Sequence, residues 1–177
     1  EGFRNAFFQG FSGITCCGFS TVALAEWGEI AKSSLIILMI VGGGAGSTAG
    51  AIKLVRIALI LTVLKTHIKK SLLPNSAVMP VKMGGAIFKN KGIIEALLFT
   101  VIYIGFLLGG SFILMQLGNG ALKSMFDMAS AQGNVGLSIG ITSPTLPLIG
   151  KITLILGMWM GRLEIIPALV FISNLLF

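Results

Sequence analysis

Cysteine, histidine and acidic side chains are all scarce in this chain of 177 residues, and each shortage removes a class of function. The only two cysteines, Cys16 and Cys17, are adjacent, so a disulfide framework is excluded and a zinc site would lack its other ligands. The single histidine, His67, stands beside Lys69 and Lys70 and reads as a solvated side chain at a helix end. The six carboxylates are scattered and no positioned Ser/His/Asp set exists, so catalysis is not expected, nor is a cofactor. A signal-peptide layout is also missing, because Glu1 to Arg4 leads straight into a short helix-like segment. With no initiator Met and no preceding spanning segment, the chain reads as a piece of a longer protein.

What remains is apolar. Hydrophobic residues make up 55% and charged residues 11%, with a mean hydropathy of +0.97, which points to a bilayer as the solvent. The net charge of +7 does not indicate nucleic acid, since few aromatics accompany the basic residues and the surroundings are apolar. Lys53, Arg56 and Lys65 stand in the second half of the first long apolar segment, and Lys69, Lys70, Lys82, Lys89 and Lys91 in the connection from it to the second. The positive-inside rule makes that connection cytoplasmic.

One element is written twice. Residues 8–20 and 126–138 overlay without a gap, pairing Phe8 with Phe126, Ser12 with Ser130, Gly18 with Gly136 and Ser20 with Ser138. Each copy is too short and too polar to cross a bilayer. A short helix followed by a glycine-containing turn at membrane depth is what a cation filter requires, because the turn offers carbonyl oxygens to the ion instead of to a helix. Glycine suits such a turn, and the helix before it directs its partially negative end toward the ion. The neighbouring filter positions are Thr15, Cys16, Cys17 and Phe19 in the first copy and Gly133, Asn134, Val135 and Leu137 in the second, with potassium held by carbonyls near Gly18 and Gly136. Ordinary turns between membrane helices are the plainer alternative.

The order of segments predicts an all-α polytopic membrane protein. Residues 1–66 form a first unit, with a short helix over 4–14, a filter over 15–20 and a broken inner helix over 31–66. A basic connection follows over 67–92, where Pro74, Pro80 and Gly84-Gly85 prevent one continuous helix. Residues 93–177 form a second unit, with an outer helix over 93–117, a short helix over 121–132, a filter over 133–138 and an inner helix over 148–177. That last helix is expected to break at Gly161-Arg162-Leu163-Glu164 and Pro167.

The break in the first inner helix is the cluster Gly42, Gly43, Gly44, Gly46, Ser47, Thr48 and Gly50, where each glycine weakens a helix by roughly 1 kcal/mol relative to alanine. The spacing Gly44-x-Gly46-x-x-Ala49 loosely fits a dinucleotide loop, but no acidic residue stands about twenty positions on and no alternating strands and helices follow. No Lys follows the last glycine as a phosphate-binding loop demands. Irregular backbone at membrane depth is tolerated only where protein encloses it or water reaches it, so the cluster reads as a gate below the filter. Arg162, at roughly 2.5 to 3.5 kcal/mol for insertion at mid-membrane, is expected to face the pore. Carbonyls of residues 42–50 are its expected acceptors, because Glu164 is two positions away and cannot pair with it on a regular helix. A snorkelling arginine at a helix end is the alternative.

Phe7-Phe8-Gln9, Thr15-x-x-Gly18-Phe19-Ser20-Thr21, Gly43-Gly44-x-Gly46-Ser47-Thr48-Ala49-Gly50-x-Ile52-Lys53-x-x-Arg56, Ser130-Ala131-x-Gly133-x-Val135-Gly136-Leu137-Ser138 and Gly161-Arg162-Leu163-Glu164-Ile165 together span nearly the whole chain. In these motifs the chain resembles the Trk/Ktr/HKT superfamily of potassium transporters, specifically its third and fourth pore repeats, the third without its outer helix. The resemblance implies potassium uptake across the cell membrane through a pore of four pseudo-equivalent repeats with one filter glycine each, an intramembrane gating loop at residues 42–50 and a pore-blocking Arg162. It also implies a lipid environment, a homodimer of the full-length protein and a cytosolic nucleotide-binding regulatory ring of the TrkA/KtrA kind. Asn134 stands where the family often has Thr, and Cys16-Cys17 is an unusual filter pair. From a different class, a non-conducting membrane scaffold that retains the fold is the alternative.

Overall fold

A computed structural model describes residues 2–44, 46, 47, 49–72, 79–88 and 90–163. Among them the regular structure is helical apart from one minimal hairpin. Helix α1 spans Gly2–Ile14, α2 Glu29–Val41, α3 Leu54–Ser71, α4 Asn90–Gln116, α5 Ala121–Gly133 and α6 Leu148–Leu163, with strands β1 Lys82–Met83 and β2 Ala86–Ile87 between α3 and α4.

Helix α5 lies at the centre. Every residue from Phe126 to Gly133 is buried, because α2, α4 and α6 all pack against this one short helix. The sequence permits the crowding by placing glycines opposite one bulky side chain. A Cβ on Gly110 of α4 would come within 2.5 Å of the Met128 terminal methyl, and one on Gly157 of α6 within 3.0 Å, so Met128 fills the space both glycines leave. Phe126, Leu114, Met39 and Leu107 complete this core. A smaller core of Ile52, Phe99, Tyr103 and Met160 sits toward α3, capped by the Arg56 guanidinium 4.1 Å from the centre of the Phe99 ring.

Helix α4, with 27 residues, is about 40 Å long and exceeds a hydrocarbon core of about 30 Å. Among the described residues it is the one helix long and apolar enough to cross a membrane alone. The first inner segment is divided into α2 and α3, since Gly42 ends α2 at φ +67° and Lys53 enters α3 at φ +75°.

Three details depart from the expected boundaries. Helix α3 continues past residue 66 to Ser71, where no breaker intervenes and Lys69 and Lys70 face the negative end of its dipole. The basic connection holds the β1–β2 hairpin, in which Gly84 and Gly85 (φ +57° and +83°) supply the left-handed pair that a two-residue turn needs. Helix α6 runs through Gly161, Arg162 and Leu163 without breaking there. Packing outweighs the glycine penalty, because Gly161 is pressed against α5. Pro74, Glu164, Pro167 and the rest of the 148–177 segment lie outside the described residues.

Candidate functional site

The two turns that close α1 and α5 have the same backbone. After α1, the Cys16 N–H donates to the Gly13 carbonyl (3.3 Å) and the Cys17 N–H to the Ser12 carbonyl (3.1 Å). After α5, the Asn134 N–H donates to Ala131 (3.0 Å) and the Val135 N–H to Ser130 (2.9 Å). Cys16 and Asn134 are left-handed at φ +56° and +55°, and two residues later Gly18 and Gly136 have φ +75° and +98°. The paired positions of the overlay therefore carry paired dihedrals.

Those turns also meet. A Cβ placed on Gly18 would run into the Val135 carbonyl oxygen and lie 3.3 Å from the Gly136 Cα, while one on Gly136 would sit 3.9 Å from the Gly18 Cα. Glycine at 18 is thus required twice over, by its positive φ and by the approach of the other turn. On one side the pair opens into a recess of about 370 Å³ to which Gly18, Ser20, Gly136 and Ser138 contribute. Thr15, Cys17 and Phe19 are exposed, Cys16 is half-buried, and Val135 and Leu137 point into the core. Cys16 and Cys17 are free thiols.

A second shared feature escaped the sequence reading. The buried Gln9 amide in α1 donates to the Ser20 hydroxyl (2.9 Å), which in turn donates to the Val22 carbonyl (2.6 Å). In α5 the equivalent residue is Asp127, 2% exposed. Its carboxylate accepts from the Ser138 hydroxyl (2.7 Å), the Ile139 N–H (3.0 Å), and the Thr142 N–H (3.0 Å) and hydroxyl (2.9 Å). The overlay that pairs Ser12 with Ser130 also pairs Gln9 with Asp127; the unlike side chains concealed a common role. Ser12 and Ser130 support the turns as well, the first donating to the Phe19 carbonyl (2.7 Å), the second accepting from the Gly136 N–H (3.1 Å).

The glycine cluster lies under the second turn. The backbone rejoins itself across the break, Ile52 N–H to Ile40 (3.1 Å), Lys53 N–H to Val41 (3.1 Å) and Leu54 N–H to Gly43 (3.1 Å), so residues 42–51 project as a loop. At its tip the Ser47 N–H donates to Gly44 (3.0 Å), and the Ser47 hydroxyl accepts from the Ala49 N–H (3.1 Å). Gly46 is exposed and Thr48 lies outside the described residues. At its end the Gly50 N–H donates to the Gly133 carbonyl of α5 (3.1 Å). A Cβ on Gly50 would meet the Gln132 carbonyl oxygen at 2.8 Å and Gly161 C at 3.0 Å, and one on Gly161 would overlap that same Gln132 oxygen. The Asn134 amide completes the junction by donating to the Met158 carbonyl of α6 (3.1 Å). Loop, second turn and α6 therefore converge, with the exposed Arg162 one residue from the contact.

Residues 35–41, which lead into the glycine cluster, are helical, whereas a dinucleotide loop follows a strand. Among the described residues no group of three or more His, Cys, Asp or Glu side chains is placed to hold a metal.

Comparison with known proteins gives a consistent result. Residues 1–176 match the TrkH family, described as cation transport protein. A cation transporter of Methanocaldococcus jannaschii, otherwise described as uncharacterized, is 35% identical over 98% of this chain and 36% of its own length. The Trk system potassium uptake protein TrkG of Escherichia coli is 29% identical over 97% of this chain and 36% of its own. The crystal structure of the potassium transporter TrkH from Vibrio parahaemolyticus superposes with a TM-score of 0.83 at 28% identity, covering 96% of this chain and 36% of that one. The chain thus spans a little over a third of the length of the relatives it matches.

Proposed function

Because the chain belongs to the TrkH family of cation transport proteins, we propose that it supplies the third and fourth filter turns of a potassium uptake pore in the cell membrane. The observation that carries this reading is the contact of two backbone-equivalent turns at Gly18 and Gly136. A dehydrated potassium ion needs several oxygen ligands, and carbonyls provide them without burying a full charge. The carbonyls of Thr15 to Gly18 and of Asn134 to Leu137 line one half of the filter, while those of Phe19 and Gly133 at its ends accept from the Ser12 hydroxyl and the Gly50 N–H. The remainder comes from the longer protein in which this segment works.

Below the filter, the loop of residues 42–50 is the gate and Arg162 is a fixed positive charge in the cation path. The hydrogen bond from Gly50 to Gly133 and the packing of Gly161 on Gln132 support this reading, since both bring the loop and α6 to the inner end of the second turn. Membrane lipid surrounds the apolar faces of α4 and α6. A homodimer of the full-length protein and a nucleotide-binding regulatory ring on the cytosolic side belong to the same proposal.

Uptake of potassium and sodium by the full-length protein carrying Gly18→Ser or Gly136→Ser tests the filter. Discrimination between the two ions is expected to fall in both variants. Unchanged discrimination in both would refute the assignment.

A further inference from the structure

We infer that Asp127 is a positioning residue of the second filter turn, holding the chain beyond Gly136 through its carboxylate and so setting the geometry in which that turn meets potassium. The inference rests on the filter reading above and adds a residue to it.

Three observations carry it. First, four donors converge on the carboxylate: the Ser138 hydroxyl and the Thr142 N–H and hydroxyl on Oδ2, and the Ile139 N–H on Oδ1. Second, packing holds only one side of the segment beyond Gly136. Leu137, Ile139 and Ile141 enter the core, whereas the other side borders a recess of about 230 Å³ formed by Asp127, Ser130, Asn134, Ser138 and Thr142, where the hydrogen bonds to Asp127 tie the chain. Third, the first turn is held by the same position in another way. Gln9 donates one bond to Ser20, whereas Asp127 accepts four. The second turn is therefore the more firmly tied of the pair, by charge-assisted bonds of the stronger kind.

Asparagine at 127 preserves size but presents one carbonyl oxygen and an amide whose own hydrogens face the donors. At least one of the Ile139 and Thr142 groups then loses its acceptor. A turn released at this edge accommodates ions of different radius more equally.

The test is the ratio of potassium to sodium uptake by the full-length protein in proteoliposomes, for Asp127→Asn, Thr142→Val, Thr142→Ser and, as a control on the filter itself, Gly136→Ser. Asp127→Asn is expected to lower the ratio about tenfold and Thr142→Val about threefold, as for the loss of charge-assisted bonds. Thr142→Ser, which retains the hydroxyl, is expected to keep the ratio. A purely structural role would reduce both fluxes in proportion and leave the ratio unchanged, and that result would overturn the inference. If Asp127→Asn does not reach the membrane, the Thr142 pair decides, and equal ratios for Val and Ser reject it. A ratio lost in Gly136→Ser but intact in the Asp127 and Thr142 variants removes only this inference. A ratio intact in Gly136→Ser as well, and in Gly18→Ser beside it, removes the filter reading.

Discussion

Gly18 and Gly136 occupy matching places, yet their surroundings make them unequally replaceable. Alanine at either position must adopt a left-handed backbone, which costs roughly 1–2 kcal/mol. At Gly18 the new methyl also strikes the Val135 carbonyl, whereas at Gly136 its nearest neighbour is 3.9 Å away. Gly18→Ala is therefore expected to impair potassium uptake more than Gly136→Ala, as read from initial rates in the full-length protein. Equal rates would mean the two turns are farther apart in the working pore. Arg162 makes the opposite kind of prediction. If its charge is a barrier to cations, Arg162→Ala raises flux, and a level or reduced flux dismisses the barrier.

At the scale of elements, the junction between the gate loop, α5 and α6 gives the sharpest expectation. A methyl on Gly50 is forced against backbone and the Asn134 amide, whereas one on Gly46 finds no neighbour within 4 Å. Gly50→Ala is expected to lower thermal stability by about 1–3 kcal/mol, the usual scale of overpacking, and to alter gating. Gly46→Ala should leave stability within about 0.5 kcal/mol of the parent. Thermal unfolding in detergent distinguishes them, and equal shifts would contradict the observed loop path.

The same elements show what the sequence could and could not convey. The division of the first inner segment was legible in the glycine cluster, because so many weak helix formers in succession leave little choice. The α4 segment was legible from length and apolarity, and the twin turns from direct residue matches. The hairpin was not, since Gly84-Gly85 signals a break equally well as a left-handed turn. Nor was the continuity of α6 through Gly161, which depends on a carbonyl of α5 that only the fold brings near. Gln9 and Asp127 stayed hidden because the overlay was read for identity, and these two share a position without sharing a side chain.

For the molecule as a whole, the exposed surfaces indicate how much surrounds this segment. Phe3, Phe7 and Phe11 form an aromatic row along α1, its neighbouring rings 5.9 and 4.6 Å apart, and remain 84%, 59% and 55% exposed. In the proposed pore this row faces lipid or the rest of the longer protein, so polar replacement there should reduce assembly before it affects selectivity. Phe7→Asn is expected to lower the yield of full-length protein in membranes while leaving the potassium-to-sodium ratio of the surviving fraction intact. A changed ratio would place the row in the ion path.

The central claim is that two equivalent turns border one cation pathway, and the most direct measurement is the anomalous scattering of rubidium or thallium in crystals of the full-length protein. The account predicts a peak within about 3 Å of carbonyl oxygens in both the 15–18 and the 133–136 turns, the distance at which such oxygens replace a hydration shell. Ions bound elsewhere, with neither turn contributing an oxygen, would contradict it.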